Sequence, residues 1–238
     1  MPPVRKRQPR TAAFNLFELL FGSIAVDTLI LLNVAAFFFV HFTPQGRAIF
    51  PSLILFPGGL FQGRVWTLLT SGFVHASGSH LFWNMFGLFI FGRIVERQLK
   101  PAKTLFVYFG ALLVSMIAAV LIYGFVFHKN IAIVGASGAV MGLVSAAMLL
   151  DPLAVTWEML IPLPTMMKGW LFLCVDINGF LGGEKDGISH LAHLCGFVSI
   201  TVLVYFLAKK DRKKFATGLA INLLSLFVFA GLAWWLNN

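Results

Sequence analysis

Long apolar runs broken by short polar or basic blocks organise this chain. A helix that crosses a bilayer needs roughly 20 mostly apolar residues. Seven stretches approach that length: about 24–43, 80–98, 104–127, 132–150, 167–182, 189–208 and 215–236. The fifth is the shortest and carries Asp176 and Asn178. An amphipathic piece, Phe14 to Phe21 with Glu18 on its polar side, precedes the first and is expected to lie in the interface. The pattern predicts an all-α, polytopic transmembrane helical bundle in three parts. These are a basic tail and interfacial segment (1–23), a six-span core (24–208), and a basic linker with one further C-terminal span (209–238). No internal repeat or low-complexity tract interrupts them.

The basic blocks orient the spans. Fourteen of the 18 Lys and Arg fall on one side under this alternation: four before the first span, Arg93, Arg97, Lys100 and Lys103 after the second, Lys168, and five between Lys209 and Lys214. Arg47, Arg64, Lys129 and Lys185 make up the other side. Cytoplasmic loops carry the excess of Lys and Arg, so the N-terminus is expected in the cytoplasm and Asn238 outside. The long connection from Thr43 to Ser79 is then external. It holds Pro44, Pro51, Pro57, Gly58 and Gly59 and the apolar run Val65–Leu69, and is expected to lie partly in the outer leaflet.

Composition points the same way. The chain of 238 residues is 59% hydrophobic and 11% charged, with 26 Phe, whereas soluble domains run near 45–50% apolar and about 25% charged. Lipid is the expected solvent. The net charge of +9 sits in topology-type blocks without interleaved surface aromatics, which argues against nucleic acid as a partner. Cys174 and Cys195 both lie in apolar stretches and read as packing residues rather than a disulfide framework. Met1 to Arg10 is basic and proline-containing, without a signal-peptide layout.

Three polar groups fall at the outer ends of spans. His80 and Asn84, four apart, share one helical face at the start of the second span. Such a pair is either functional or glue between helices. Gly135-Ala136-Ser137-Gly138 opens the fourth span. Small neighbours leave the hydroxyl unobstructed, and a helix N-terminus offers free N–H groups and a positive dipole end for an oxyanion. Equally, Gly138, Gly142 and Ala146 form a small-residue packing stripe to which Ser137 would belong. His190 and His193 open the sixth span. An i, i+3 pair suits half a metal site, but the His-Glu-x-x-His signature is absent, and the only nearby acids identified are Glu184 and Asp186 in the preceding loop. No metal is therefore expected. The topology puts Ser137, His193, His80 and Asn84 at one depth. A serine, a base and two donors are the parts needed for acyl transfer. With no acid expected at that depth, a Ser–His dyad is the predicted arrangement.

Over nearly all of its first 208 residues the chain resembles the rhomboid family. Gly135-x-Ser137-Gly138 is similar to the family's nucleophile motif, Ala192-His193-x-x-Gly196 to its base motif, and His80-x-x-x-Asn84 to the motif that supplies oxyanion donors. Trp66, Thr70 and His75 match its outer-leaflet loop, and Gly92-x-x-x-Glu96 with Tyr108 the ends of the second and third spans. The resemblance implies an intramembrane serine endopeptidase with no metal and no cofactor. It implies catalytic Ser137 and His193, and an oxyanion hole of His80, Asn84 and the Ser137 backbone N–H. It further implies single-span transmembrane proteins as substrates in a lipid membrane, entering past the fifth span beneath a cap at Gly182–Gly187. The expected location is a prokaryotic cytoplasmic membrane. The pattern is departed from at Thr67, where the family commonly has Arg, at Met141, where a tyrosine is often found, and at Ile200, where a second small residue stands. The rivals are a non-catalytic relative that escorts membrane clients and a transporter. A transporter would call for more mid-membrane charge than Asp27 and Asp176 provide.

Overall fold

The computed structural model describes residues 22–156, 162–183 and 188–237. The expected interfacial segment before residue 22 lies outside them, as does most of the expected cap, residues 184–187. The first span is helix α1, Ile24–Phe42. Short helices fill the connection that follows: α2 Pro44–Leu53, α3 Pro57–Phe61, α4 Thr67–Thr70, and a tight turn over Ser71–Phe73. The second span is α5, Gly78–Gly87, running through a π-bulge at Leu88–Gly92 into α6, Arg93–Leu99. Then come α7 Pro101–Leu121, α8 Ser137–Leu150, α9 Thr165–Leu181, α10 His190–Leu203 and α11 Lys209–Asn237. The two-residue strands β1, Val155–Thr156, and β2, Leu163–Pro164, pair before α9.

Local chemistry fixes where the helices start. Ser77 accepts from the His80 N–H at 3.2 Å, Thr43 from Gly46 at 2.9 Å and Ser189 from Ala192 at 3.3 Å, each satisfying a backbone donor that a helix N-terminus leaves open. Pro44, Pro57 and Pro101 stand in the first turns of α2, α3 and α7, where a missing N–H costs nothing.

Among the described residues, three helical stretches can cross a membrane by length and composition: Ile24–Phe42, Pro101–Val126 and Lys209–Gly231. Ser137–Leu150 and His190–Phe206 are apolar but shorter. The chain is thus a helical membrane bundle, with two boundaries clearly displaced from the sequence reading: the basic stretch 209–214, expected as a linker, is already helix α11, and the fourth span starts late. Residues from 132 look like helix by hydropathy, yet α8 starts only at Ser137. Ile133 instead donates to the Leu55 carbonyl at 2.8 Å in an antiparallel bridge, and Gly135 turns the chain at φ +105°.

Helix α8 is the centre. Every residue from Gly138 to Met148 is buried, as expected for a helix apolar all round. Glycines bring its neighbours close. A Cβ at Gly196 would overlap the Gly138 carbonyl, and one at Gly142 would overlap the Ala111 methyl. The departure at Ile200 falls one turn past this closest approach, where the side chain is buried. Helix α11 docks on α8: Gly218 packs on the Leu149 backbone, and Asn222 donates to Met148 O at 2.9 Å.

Polar clasps gather at the end of the bundle where α1 and α7 begin. Glu96 accepts from the Ala25 and Val26 N–H groups at 3.1 and 3.0 Å, capping α1. Arg93 pairs with Asp27 at 2.6 Å, Lys103 pairs with Asp211, and Gln98 donates to Asp151 at 3.1 Å. The external connection is held from the other end. Trp66 Nε1 donates to Ser52 O at 2.9 Å, Thr70 Oγ1 to Leu53 O at 2.9 Å, and Gly58 N to Asn130 Oδ1 at 2.8 Å. The missing arginine at 67 is therefore not needed as an anchor. Thr67 is buried and bonds the Arg64 carbonyl at 2.6 Å, while Arg64 reaches Pro51 O at 2.8 Å.

Candidate active site

The first turns of α5, α8 and α10 converge at the end of the bundle opposite the charged clasps. Ser137 is the first residue of α8 and half-buried. The glycine two residues before it is required twice over. Gly135 has a φ that side chains rarely adopt, and an added Cβ would lie 2.6 Å from His80 Nε2 and 3.8 Å from Asn84 Nδ2. Both donors expected of an oxyanion hole therefore face the backbone that leads into the serine. Asn84 Nδ2 uses one proton on the His80 carbonyl at 2.9 Å, leaving its second N–H.

That backbone is clamped from behind. Gly135 N–H donates to Ser71 O at 2.8 Å, and Ala136 N–H donates to His75 Nε2 at 3.4 Å. Burial, then the neighbouring His80, pushes the His75 imidazole down to about 3, against a smaller upward pull from the Phe73 backbone. His75 is thus neutral and able to accept. Its ring stands edge-on to His80 with centroids 5.0 Å apart. Ser77 and Ser79 are exposed beside it, and their hydroxyls lie 3.0 Å apart. Ser71 is buried and its hydroxyl is turned toward Met116 Sδ at 3.9 Å, away from water.

His193 sits one turn into α10, its side chain 17% exposed, and within electrostatic reach of His80. The glycine contact between Gly196 and Gly138 sets α10 against the first turn of α8. The Ser137 hydroxyl itself makes no hydrogen bond among the described residues. In hydrolases such bonds are often long before substrate arrives and tighten in the complex.

The expectation that no acid reaches this depth is overturned. Asp176, buried on α9, places one oxygen 2.7 Å from His193 Nδ1 and 2.7 Å from His190 Nδ1. A carboxylate partner favours the proton on Nδ1 of His193, which leaves the Nε2 lone pair open. His190 is buried, and its ring fills the space a Cβ at Gly179 would need. The signal was present in the sequence. A lone acid in an apolar run needs a partner, and Asp176 and Gly179 share the i, i+3 spacing of the two histidines they meet. Proximity along the chain points to Glu184 and Asp186 in the loop before α10, whereas the acid that meets the histidines comes from the neighbouring span.

Asp176, His190 and His193 also form a group of potential metal ligands. Cys174 and Cys195 are both free, and Cys174 is exposed rather than packed.

Comparisons with known proteins bear on this arrangement. The profile described as "Rhomboid domain" matches residues 62–210. The "Rhomboid protease AarA" of Providencia stuartii is 25% identical over 238 residues, covering 87% of this chain and 83% of the relative. The "Rhomboid-like protease 1" of Toxoplasma gondii is 32% identical, covering 74% of this chain and 56% of the relative. The "Inactive RHOMBOID-like protein 8" of Arabidopsis thaliana is 30% identical over 136 residues, 36% of its own length. Several relatives are much longer, and the chain spans about half of them, for instance 49% of "RHOMBOID-like protein 12, mitochondrial" of Arabidopsis thaliana.

Proposed function

The chain belongs to the rhomboid family, and from that premise we propose that it is an intramembrane serine endopeptidase cleaving the transmembrane segments of membrane proteins. His193 Nε2 takes the Ser137 proton as the serine oxygen attacks the scissile carbonyl. The resulting oxyanion meets the Ser137 N–H at the start of α8, His80 and the free Asn84 N–H. His193 then protonates the leaving amine and activates water against the acyl-enzyme. Asp176 keeps the imidazole in the tautomer this cycle needs. The reading therefore adds an orienting carboxylate to the expected pair of serine and histidine.

The observation that carries the proposal is the Asp176–His193 bond beside the helix that begins with Ser137. A buried carboxylate is costly in an apolar bundle, and this one is spent on orienting the ring next to a serine. Substrates are single-span helices, and they enter from lipid along α9, whose Leu171, Val175, Ile177 and Leu181 are exposed. The N-terminus lies in the cytoplasm of a prokaryotic cell and the site opens toward the outer face.

The test is labelling of the detergent-solubilised chain with a fluorophosphonate. The wild type labels at Ser137, and the label is lost in Ser137→Ala and in His193→Ala. Labelling of a different serine, or no labelling of a folded wild type, would overturn the assignment in favour of a non-catalytic relative.

A further inference from the structure

We propose that Asp176, His190 and His193 form an inhibitory site for a divalent transition metal, with zinc as the best-fitting ion. The inhibitory half of this proposal rests on reading His193 as the general base; the binding half does not.

One ligand-capable atom of each residue lies within 4.8 Å of the other two. The histidines come from one turn of α10, and the carboxylate comes from the facing helix α9. The site is a clamp between two elements whose spacing is set by the Gly179–His190 contact. Two imidazole nitrogens and one carboxylate oxygen suit zinc, whereas magnesium and calcium take oxygen donors. Zinc–nitrogen bonds near 2.0–2.1 Å put tetrahedral ligand atoms roughly 3.4 Å apart. The Asp176 oxygen, now 2.7 Å from each Nδ1, must withdraw by less than about 1 Å, which rotation of its side chain supplies. The His193 side chain is 17% exposed, so an ion can reach the cluster past it and take water as a fourth ligand.

Binding at these atoms reverses the tautomer that catalysis needs. A neutral imidazole carries one proton. Without metal the His193 proton sits on Nδ1 and points at Asp176, and Nε2 is the base. With metal on Nδ1 that proton moves to Nε2, and the ring donates where it must accept. The proton on His190 shifts in the same way, so no proton need leave the site. The three atoms that orient the base thus disable it when they share an ion.

The experiment uses the full chain in detergent. Cobalt(II) is titrated in as a spectroscopic stand-in for zinc, and cleavage of a reporter transmembrane substrate is measured with zinc and then with excess EDTA. We expect one equivalent of cobalt to give the intense visible bands of a tetrahedral site and zinc to displace it. Zinc should lower cleavage at least about tenfold, with recovery on chelation. His190→Gln can still donate to Asp176 but has lost a ligand. Compared with its own metal-free rate, it should need about 10–100 times more zinc, the loss typical of impaired metal sites. Cobalt bound without tetrahedral bands would overturn the site. Equal zinc sensitivity in His190→Gln would overturn it too, placing the metal elsewhere, for instance at His75 and His80. Zinc that binds one to one and leaves cleavage unchanged would overturn the tautomer argument. A chain that cleaves nothing defeats the protease reading, yet the cobalt bands and their loss in His190→Gln still decide the binding claim.

Discussion

The two ends of the bundle use buried polar groups in opposite ways. Where α1 and α7 begin, charges are consumed: both Glu96 oxygens accept backbone N–H groups, Arg93 meets Asp27, and Lys103 meets Asp211. Where α5, α8 and α10 begin, they are held open. Ser137 Oγ has no hydrogen bond among the described residues, Asn84 keeps an unused N–H, and Asn84 Oδ1 and His75 Nδ1 are buried without partners there. Open buried atoms occur elsewhere too, at Asn33 Oδ1, Tyr108 OH and Asn222 Oδ1; what sets this end apart is that its open groups lie beside the half-buried Ser137 at a helix start, where a ligand can complete the set. Charged clasps at one end hold the frame; at the other, polar groups stand open around a serine at a helix start.

That contrast predicts separable effects. The largest belongs to the open end. Ser137→Ala and His193→Ala should each lower reporter cleavage by about 10⁴-fold or more, and the double variant should lose little beyond either, because the two act as a unit. Thermal melting in detergent should stay near wild type. Additive losses would break the assignment.

Asp176→Asn comes next. An amide cannot hold the Nδ1 proton as a carboxylate does, so turnover should fall by about 10²–10⁴ with KM nearly unchanged. Asp176→Glu should restore part of that rate if the role is orientation. Full activity in Asp176→Asn would mean the acid serves only to join α9 to α10. His190→Ala should be milder than His193→Ala in the same assay.

Asn84→Ala should cost on the order of 10² in turnover, the lower range for one oxyanion donor, because His80 and the backbone N–H remain. Unchanged turnover in both Asn84→Ala and His80→Ala would remove these residues from the oxyanion hole.

Two substitutions probe the boundary of the comparison. Met141, one turn below Ser137, is 3% exposed. Truncation to Ala should cost about 2–5 kcal/mol of stability by cavity formation, read as a lower melting temperature. At the clasped end Glu96→Gln should destabilise by about 1–3 kcal/mol, since one charge-assisted cap is lost, while turnover per folded molecule is unchanged. A slowed reaction without loss of stability in Glu96→Gln would couple the two ends and spoil the contrast.

Much of this was legible in the sequence, for a physical reason. Apolar runs long enough for a bilayer are a solvent-driven signal, and they located the long helices, including most of α11, but not the short helices α2 to α4. Glycine spacing also carries meaning: the motif positions Gly135, Gly138 and Gly196 are sites where a neighbour comes close, the His80 side chain at Gly135, the Ser115 side chain at Gly138 and the Gly138 backbone at Gly196. What hydropathy could not distinguish was an extended apolar segment from a helical one, so the stretch before Ser137 was read as helix when it pairs with Leu55. Nor could linear position show that Asp176 lies against His193, because that contact joins two helices across 17 residues. The lone acid and its i, i+3 spacing to Gly179 hint that a partner exists, but not which helix supplies it.

The most direct test of the account is cleavage of a reporter transmembrane substrate by the purified chain reconstituted in lipid vesicles, wild type against Ser137→Ala. The account predicts a single cut within the substrate's membrane segment by the wild type and none by the folded Ser137→Ala protein. Equal cutting by both, or a folded wild type inert toward a panel of helix-destabilised substrates, would contradict it.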